Sequence, residues 1–132
     1  YNYGEMADSS NLKLIVIYTS RGEPAGFLQY PHLFNRQGEW IGWVNTKRQV
    51  YSVYGHYVGF LTNDPRIIRK QSSGYLKPRL EPPSRPKNII PPATIPLAPM
   101  MPELPIGMFD VLEENPDMLP PVDFGDLKDD MD

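Results

Sequence analysis

LFNRQGEWIGWV occupies residues 33–44, and the same pattern stands on either side of it as IYTSRGEPAGFL at 17–28 and VYSVYGHYVGFL at 50–61. Each unit opens on an aliphatic residue and an aromatic one (Ile17–Tyr18, Leu33–Phe34, Val50–Tyr51). It then crosses three mostly polar residues to a glycine, and three residues later meets a second glycine followed by two bulky apolar side chains. Two runs with apolar character joined by a short glycine-containing turn read as a β-hairpin, here written three times. Gly22, Gly38 and Gly55 fall where a type I turn is continued by a residue at positive φ, which glycine adopts without steric penalty. Gly26, Gly42 and Gly59 fall inside the returning strand, which implies a bend or the close approach of another backbone.

A lone hairpin does not hold itself together in water, so the copies must pack on one another. Tyr18, Phe27, Phe34, Trp43, Tyr51 and Phe60 are the expected core aromatics, the rings beside the bends turning into a shared interior. IIRKQSSGYL at 67–76 begins like a fourth unit, with Ser72 at the turn-glycine position and Gly74 displaced. It reads as a degenerate closing hairpin, while LKLIV at 12–16 extends the first strand. The expected fold is all-β.

Proline marks where this head should end. Of 16 prolines only Pro24, Pro31 and Pro65 precede residue 78, and the other thirteen lie in a stretch whose backbone is poor in hydrogen-bond donors. Charge divides at the same place, with nine Lys/Arg against five Asp/Glu in residues 1–77 and four against eleven in 78–132, matching the total of −3. The division predicts an N-terminal extension at 1–11, a hairpin domain at 12–77 and an extended proline-rich and acidic tail at 78–132. This balance argues against nucleic acid as the main partner.

The repeated units, with a glycine turn and then GF or GW plus an aliphatic residue, resemble the bacterial four-fold β-flower proteins. That resemblance implies four hairpins about a pseudo-fourfold axis and a proline-rich tail. It implies no established enzyme activity and no catalytic residues.

The residues by themselves offer little chemistry. Without cysteine there is no disulfide framework and no thiolate nucleophile or ligand. His32 and His56 occupy different repeat positions with no acidic cluster beside them, so neither is expected to hold a metal. Glu23 and Glu39 follow turn glycines and read as solvated turn residues. DFG at 123–125 has no kinase-sized domain around it. No cofactor, metal or catalytic residue is assigned, and the expectation is a protein that is not an enzyme. LIVIY at 14–18 is far too short to span a bilayer, so no transmembrane segment is expected and peripheral membrane contact is allowed, while localisation stays open with the cytoplasm slightly favoured.

Partner binding is the remaining reading. Trp40 and Trp43 stand three apart, and strict strand alternation puts them on opposite faces. Trp43 then belongs to the core, and Trp40 is expected outside with Tyr54 and Tyr57. Lys47, Arg48, Arg66, Arg69 and Lys70 would form a basic rim. In the tail, Ile95, Leu97, Met100 and Met101 are apolar anchors on a stiff extended chain. IGMFDVLEEN at 106–115 should make one or two helical turns, bringing Met108 and Phe109 to Val111 and Leu112 before Pro116 stops them. The expected function is an accessory or scaffold subunit that docks its head on other protein subunits of a larger complex and threads its tail along them. The alternative is a small-ligand or envelope-surface binding module built on the exposed aromatics.

Overall fold

The computed structural model of the protein describes residues 13–71 and 77–122. Their strands are β1 (Ile15–Tyr18), β2 (Pro24–Gln29), β3 (His32–Asn35), β4 (Trp40–Val44), β5 (Gln49–Ser52), β6 (Tyr57–Leu61), β7 (Ile67–Lys70) and β8 (Met108–Asp110). They form one antiparallel sheet in chain order, β1 to β8, so the fold is all-β. A single helical turn, α1 (Val111–Glu114), and a 3-10 turn at Pro116–Met118 follow.

The hairpin turns share one chemistry. In the second, the Gly38 amide donates to the Asn35 carbonyl at 3.0 Å and the Asn35 amide to the Glu39 carbonyl at 2.9 Å. Gly38 itself sits at φ +88°. The Asn35 side chain accepts from the amides of Gln37 and Glu39 at 3.0 and 2.9 Å, which satisfies donors that the turn would leave unpaired. Thr19 and Ser52 take the same position in the first and third turns.

Past each turn the register slips by one. Leu33 pairs with Gly42 but Phe34 pairs with Trp40, so Ile41 is bulged out of the ladder. The slips between Ile17 and Tyr18 and between Val50 and Tyr51 are equivalent. Because side chains alternate along a strand, one extra residue reverses the face of everything before it. Trp40 and Trp43 therefore share a face, which corrects the expectation that they oppose each other. The bend glycines face the next hairpin: a Cβ built on Gly26 would stand 2.5 Å from the Phe34 carbonyl oxygen, and Gly42 and Gly59 meet the Tyr51 and Ile68 carbonyls in the same way.

The two faces have different cores. The inner one is aliphatic, formed by Ile17, Leu33, Val50 and Ile67 from the first strands and Leu28, Val44 and Leu61 from the second, and completed by Val111 and Leu119. The other is aromatic, with Phe27, Phe34, Trp40, Trp43 and Tyr51 packed together, Trp43 stacked on Tyr51 at 4.8 Å between ring centroids. Phe27 and Trp43, the rings beside two of the bends, are buried together with Phe34 and Tyr51 in this shared cluster, as the repeat leads one to expect, whereas Phe60, beside the third bend, is only half-buried. Tyr18 is 4% exposed and belongs to neither cluster.

The fourth hairpin is completed from far along the chain. β7 pairs with β8, Ile68 facing Asp110 and Lys70 facing Met108, and the Gln71 amide donates to the Gly107 carbonyl at 2.7 Å. Gly107 has φ +90°, like the three repeat turn glycines. The sheet therefore extends past residue 77, and Met108–Asp110 is strand where helical turns were expected, because Asp110 starts the helix as its N-cap, accepting from the Glu113 amide. Ser72 and Gly74 lie outside the described residues.

The curled sheet is tied across its ends. The Tyr18 amide donates to the Pro65 carbonyl at 3.1 Å. Ser20 donates from its amide and its hydroxyl to Asp110 Oδ2 at 2.7 and 2.8 Å and accepts from Arg66 Nη1 at 2.9 Å, joining the first hairpin to the fourth.

Candidate functional site

Between β7 and β8 the proline-rich segment runs over the aromatic face as a belt. It visits the hairpin turns in reverse order. The Leu80 amide donates to the Gly55 carbonyl at 3.0 Å and the Ile89 amide to the Gly38 carbonyl at 2.9 Å. A Cβ on either glycine would run into the carbonyl of the belt residue that it binds. Ala98 lies against Gly22, 3.6 Å from the position of its missing Cβ, and the Tyr18 hydroxyl donates to the nearby Pro96 carbonyl at 2.6 Å.

The contact residues 80, 89 and 98 recur every nine positions, and the next step, 107, is the fourth turn glycine. Each intervening block holds three prolines: Pro82, Pro83 and Pro86, then Pro91, Pro92 and Pro96, then Pro99, Pro102 and Pro105. Nine residues of extended, proline-stiffened chain reach at most about 28 Å, and one such block carries the chain from each hairpin turn to the next. This period is the sequence signal that hairpin reasoning misses.

The belt decides which expected site residues are available. Ile89, Ile95 and Val122 pack on the aromatic cluster, and Trp40 is 5% exposed, so it is no surface aromatic. Tyr54 and Tyr57 are half-buried. The Tyr54 carbonyl accepts from Arg79 Nε at 2.6 Å, and the Tyr57 ring lies under Arg69 and Lys77 at 5.9 and 4.9 Å. Met101 and Met108 are half-buried, and Phe109 and Leu112 pack on the inner aliphatic core. Only Leu97 and Met100 of the expected anchors point outward, each 95% exposed, joined by Ile90 at 92% and Ile106.

The expected basic rim is mostly structural. Arg66 is buried and paired with Asp64 at 2.7 Å. Burial works against the Asp64 charge, but hydrogen bonds from Arg66 and Thr62 and the Arg66 charge outweigh it and hold its carboxyl below the usual carboxylate range. Arg69 donates to the Val58 carbonyl at 3.0 Å. Arg48 donates through Nε to the Leu61 carbonyl and through Nη2 to that of Thr62, both at 2.9 Å. Lys47 and Lys70 are exposed.

At the end of the sheet opposite the turns, the linkers between hairpins surround a cavity of about 720 Å³. Ile15, Leu28, Val44 and Leu61 form its apolar floor, while Lys13 and Arg48 stand on its rim. Its lining contains no carboxylate.

His32 is half-buried, its ring edge-on to Trp40 and Phe34 at 6.1 and 6.5 Å, and burial lowers its pKa below 6.5. His56 is exposed in the third turn. Among the described residues no group of three or more His, Cys, Asp or Glu side chains could hold a metal, and no helix is long and apolar enough to cross a membrane.

No curated protein and no solved structure matches the chain. Residues 15–113 match the family described as the 4-fold beta flower protein, a span that takes in all eight strands and the whole belt. With four hairpins of common design and a match over most of its length, the chain belongs to the four-fold β-flower family.

Proposed function

We propose that the protein is a non-enzymatic accessory or scaffold subunit that docks on protein partners through the outward side chains of its belt. Ile90, Leu97, Met100 and Ile106 carry this reading, each at least 92% exposed on a chain fastened to the head beneath it. Large apolar side chains held out from a pre-stiffened backbone can be buried by a partner with little ordering cost. The head is then the rigid frame that sets the spacing of these anchors, and the tail reaches partners while lying on its own hairpins.

The test is affinity capture of partners with the full chain against an Ile90→Ser, Leu97→Ser, Met100→Ser variant. All three positions are solvent-exposed, so the fold should survive, as circular dichroism would verify. Loss of the captured protein in the variant supports the proposal. Equal capture by both proteins would overturn it.

A further inference from the structure

We propose that the linker-end cavity binds a medium-chain aliphatic carboxylate, its hydrocarbon chain on the floor and its carboxylate between Lys13 and Arg48. The volume, about 720 Å³, is within the range of small-ligand sites. The floor is built by repetition: Leu28, Val44 and Leu61 are equivalent residues of three successive hairpins, and Ile15 closes the fourth side. These four side chains present an aliphatic floor, which suits a flexible hydrocarbon chain.

The rim decides the charge. Lys13 and Arg48 are cationic and the lining offers no carboxylate, so an anionic end is attracted and a cationic one repelled. The Arg48 guanidinium is held in place by the Leu61 and Thr62 carbonyls, so ordering it on binding costs little. The uncharged polar residues of the lining are Tyr30, Asn45, Thr46 and Asn63. The Asn45 side chain accepts from the Lys47 and Gln49 amides and donates to Gln49 Oε1, so its turn already uses both ends. This site is on the opposite end of the sheet from the turns that the belt engages, and it does not depend on partner docking.

The experiment is methyl-detected NMR of the full chain titrated with sodium decanoate below its micelle concentration, with decanol and decyltrimethylammonium as controls. The expected result is a saturable shift centred on the methyl groups of Ile15, Leu28, Val44 and Leu61, with both controls binding more weakly. Lys13→Glu, at an exposed position ahead of β1, should weaken decanoate about tenfold. Thr46→Trp, from an exposed turn at the mouth, should block binding. Shifts that are absent or scattered over the molecule would overturn the proposal. So would decanol binding as tightly as decanoate together with no effect of Lys13→Glu, and that readout stands even if Thr46→Trp fails to fold.

Discussion

The Ile89 amide donates to the Gly38 carbonyl at 2.9 Å, while the Ile89 carbonyl occupies the space where a side chain on Gly38 would begin. One glycine thus serves as turn and as socket, and the two roles can be separated. Gly107 has nearly the same φ, +90° against +88°, but nothing lies within 4 Å of its missing Cβ. Gly107→Ala should cost only the left-handed penalty, about 1–2 kcal/mol. Gly38→Ala adds a collision with backbone and should cost at least about 1 kcal/mol more, with the belt loosened at Ile89. Urea melts of both variants, and proteolysis within residues 80–98, check this.

Ser20 and Asp110 hold the first hairpin to the fourth. Asp110 is 1% exposed, and burial raises its pKa, opposed by its hydrogen bonds from Ser20 and the Glu113 amide. Ser20→Ala removes the hydroxyl from Asp110 and from Arg66 together, which should destabilise by about 1–3 kcal/mol at neutral pH. A raised folded pKa means stability is highest below the unfolded value of 3.8 and declines as pH rises through the folded value. Losing the hydroxyl raises Asp110 further, so the gap between variant and wild type should narrow on acidification. Melts at neutral pH and near pH 4 measure it.

His32 titrates in the opposite sense. Its folded pKa lies below 6.5, so between the two values the unfolded chain binds more protons and stability rises with pH. Stability should be level above about 6.5 and fall as the pH drops toward the folded value. His32→Gln should flatten that part of the profile. A slope unchanged in the variant would assign the titration to another group.

Three hairpins are legible in the sequence because each is local: its turn glycine, its bend glycine and both its strands lie within twelve residues, as in 33–44. The fourth obeys the same rules, with Ile67 and Ile68 opening it and Gly107 turning it, but residues 72–106 separate its halves and hide it from a local reading. The bulge at Ile41 is equally silent in the sequence, and it inverts the placement of Trp40. Arg48 conceals a further turn. At φ 65° it takes the place that glycine has in Asn35-Arg36-Gln37-Gly38-Glu39, and Asn45-Thr46-Lys47-Arg48-Gln49 differs from that run at its decisive position. As for the belt, its prolines suggest a chain without a core of its own. Only its nine-residue period, set against the three turn glycines, shows that it borrows the core of the head.

The most direct test of the belt is amide hydrogen exchange by NMR on the full chain. If the proline-rich segment is fastened to the hairpin tips, Leu80 and Ile89 should be protected, while exposed neighbours such as Glu81 and Ile90, whose amides are not held by the turn glycines, should exchange close to the free rate. Free-rate exchange at Leu80 and Ile89 as well would contradict the account, because the segment would then be a tail and not a strap.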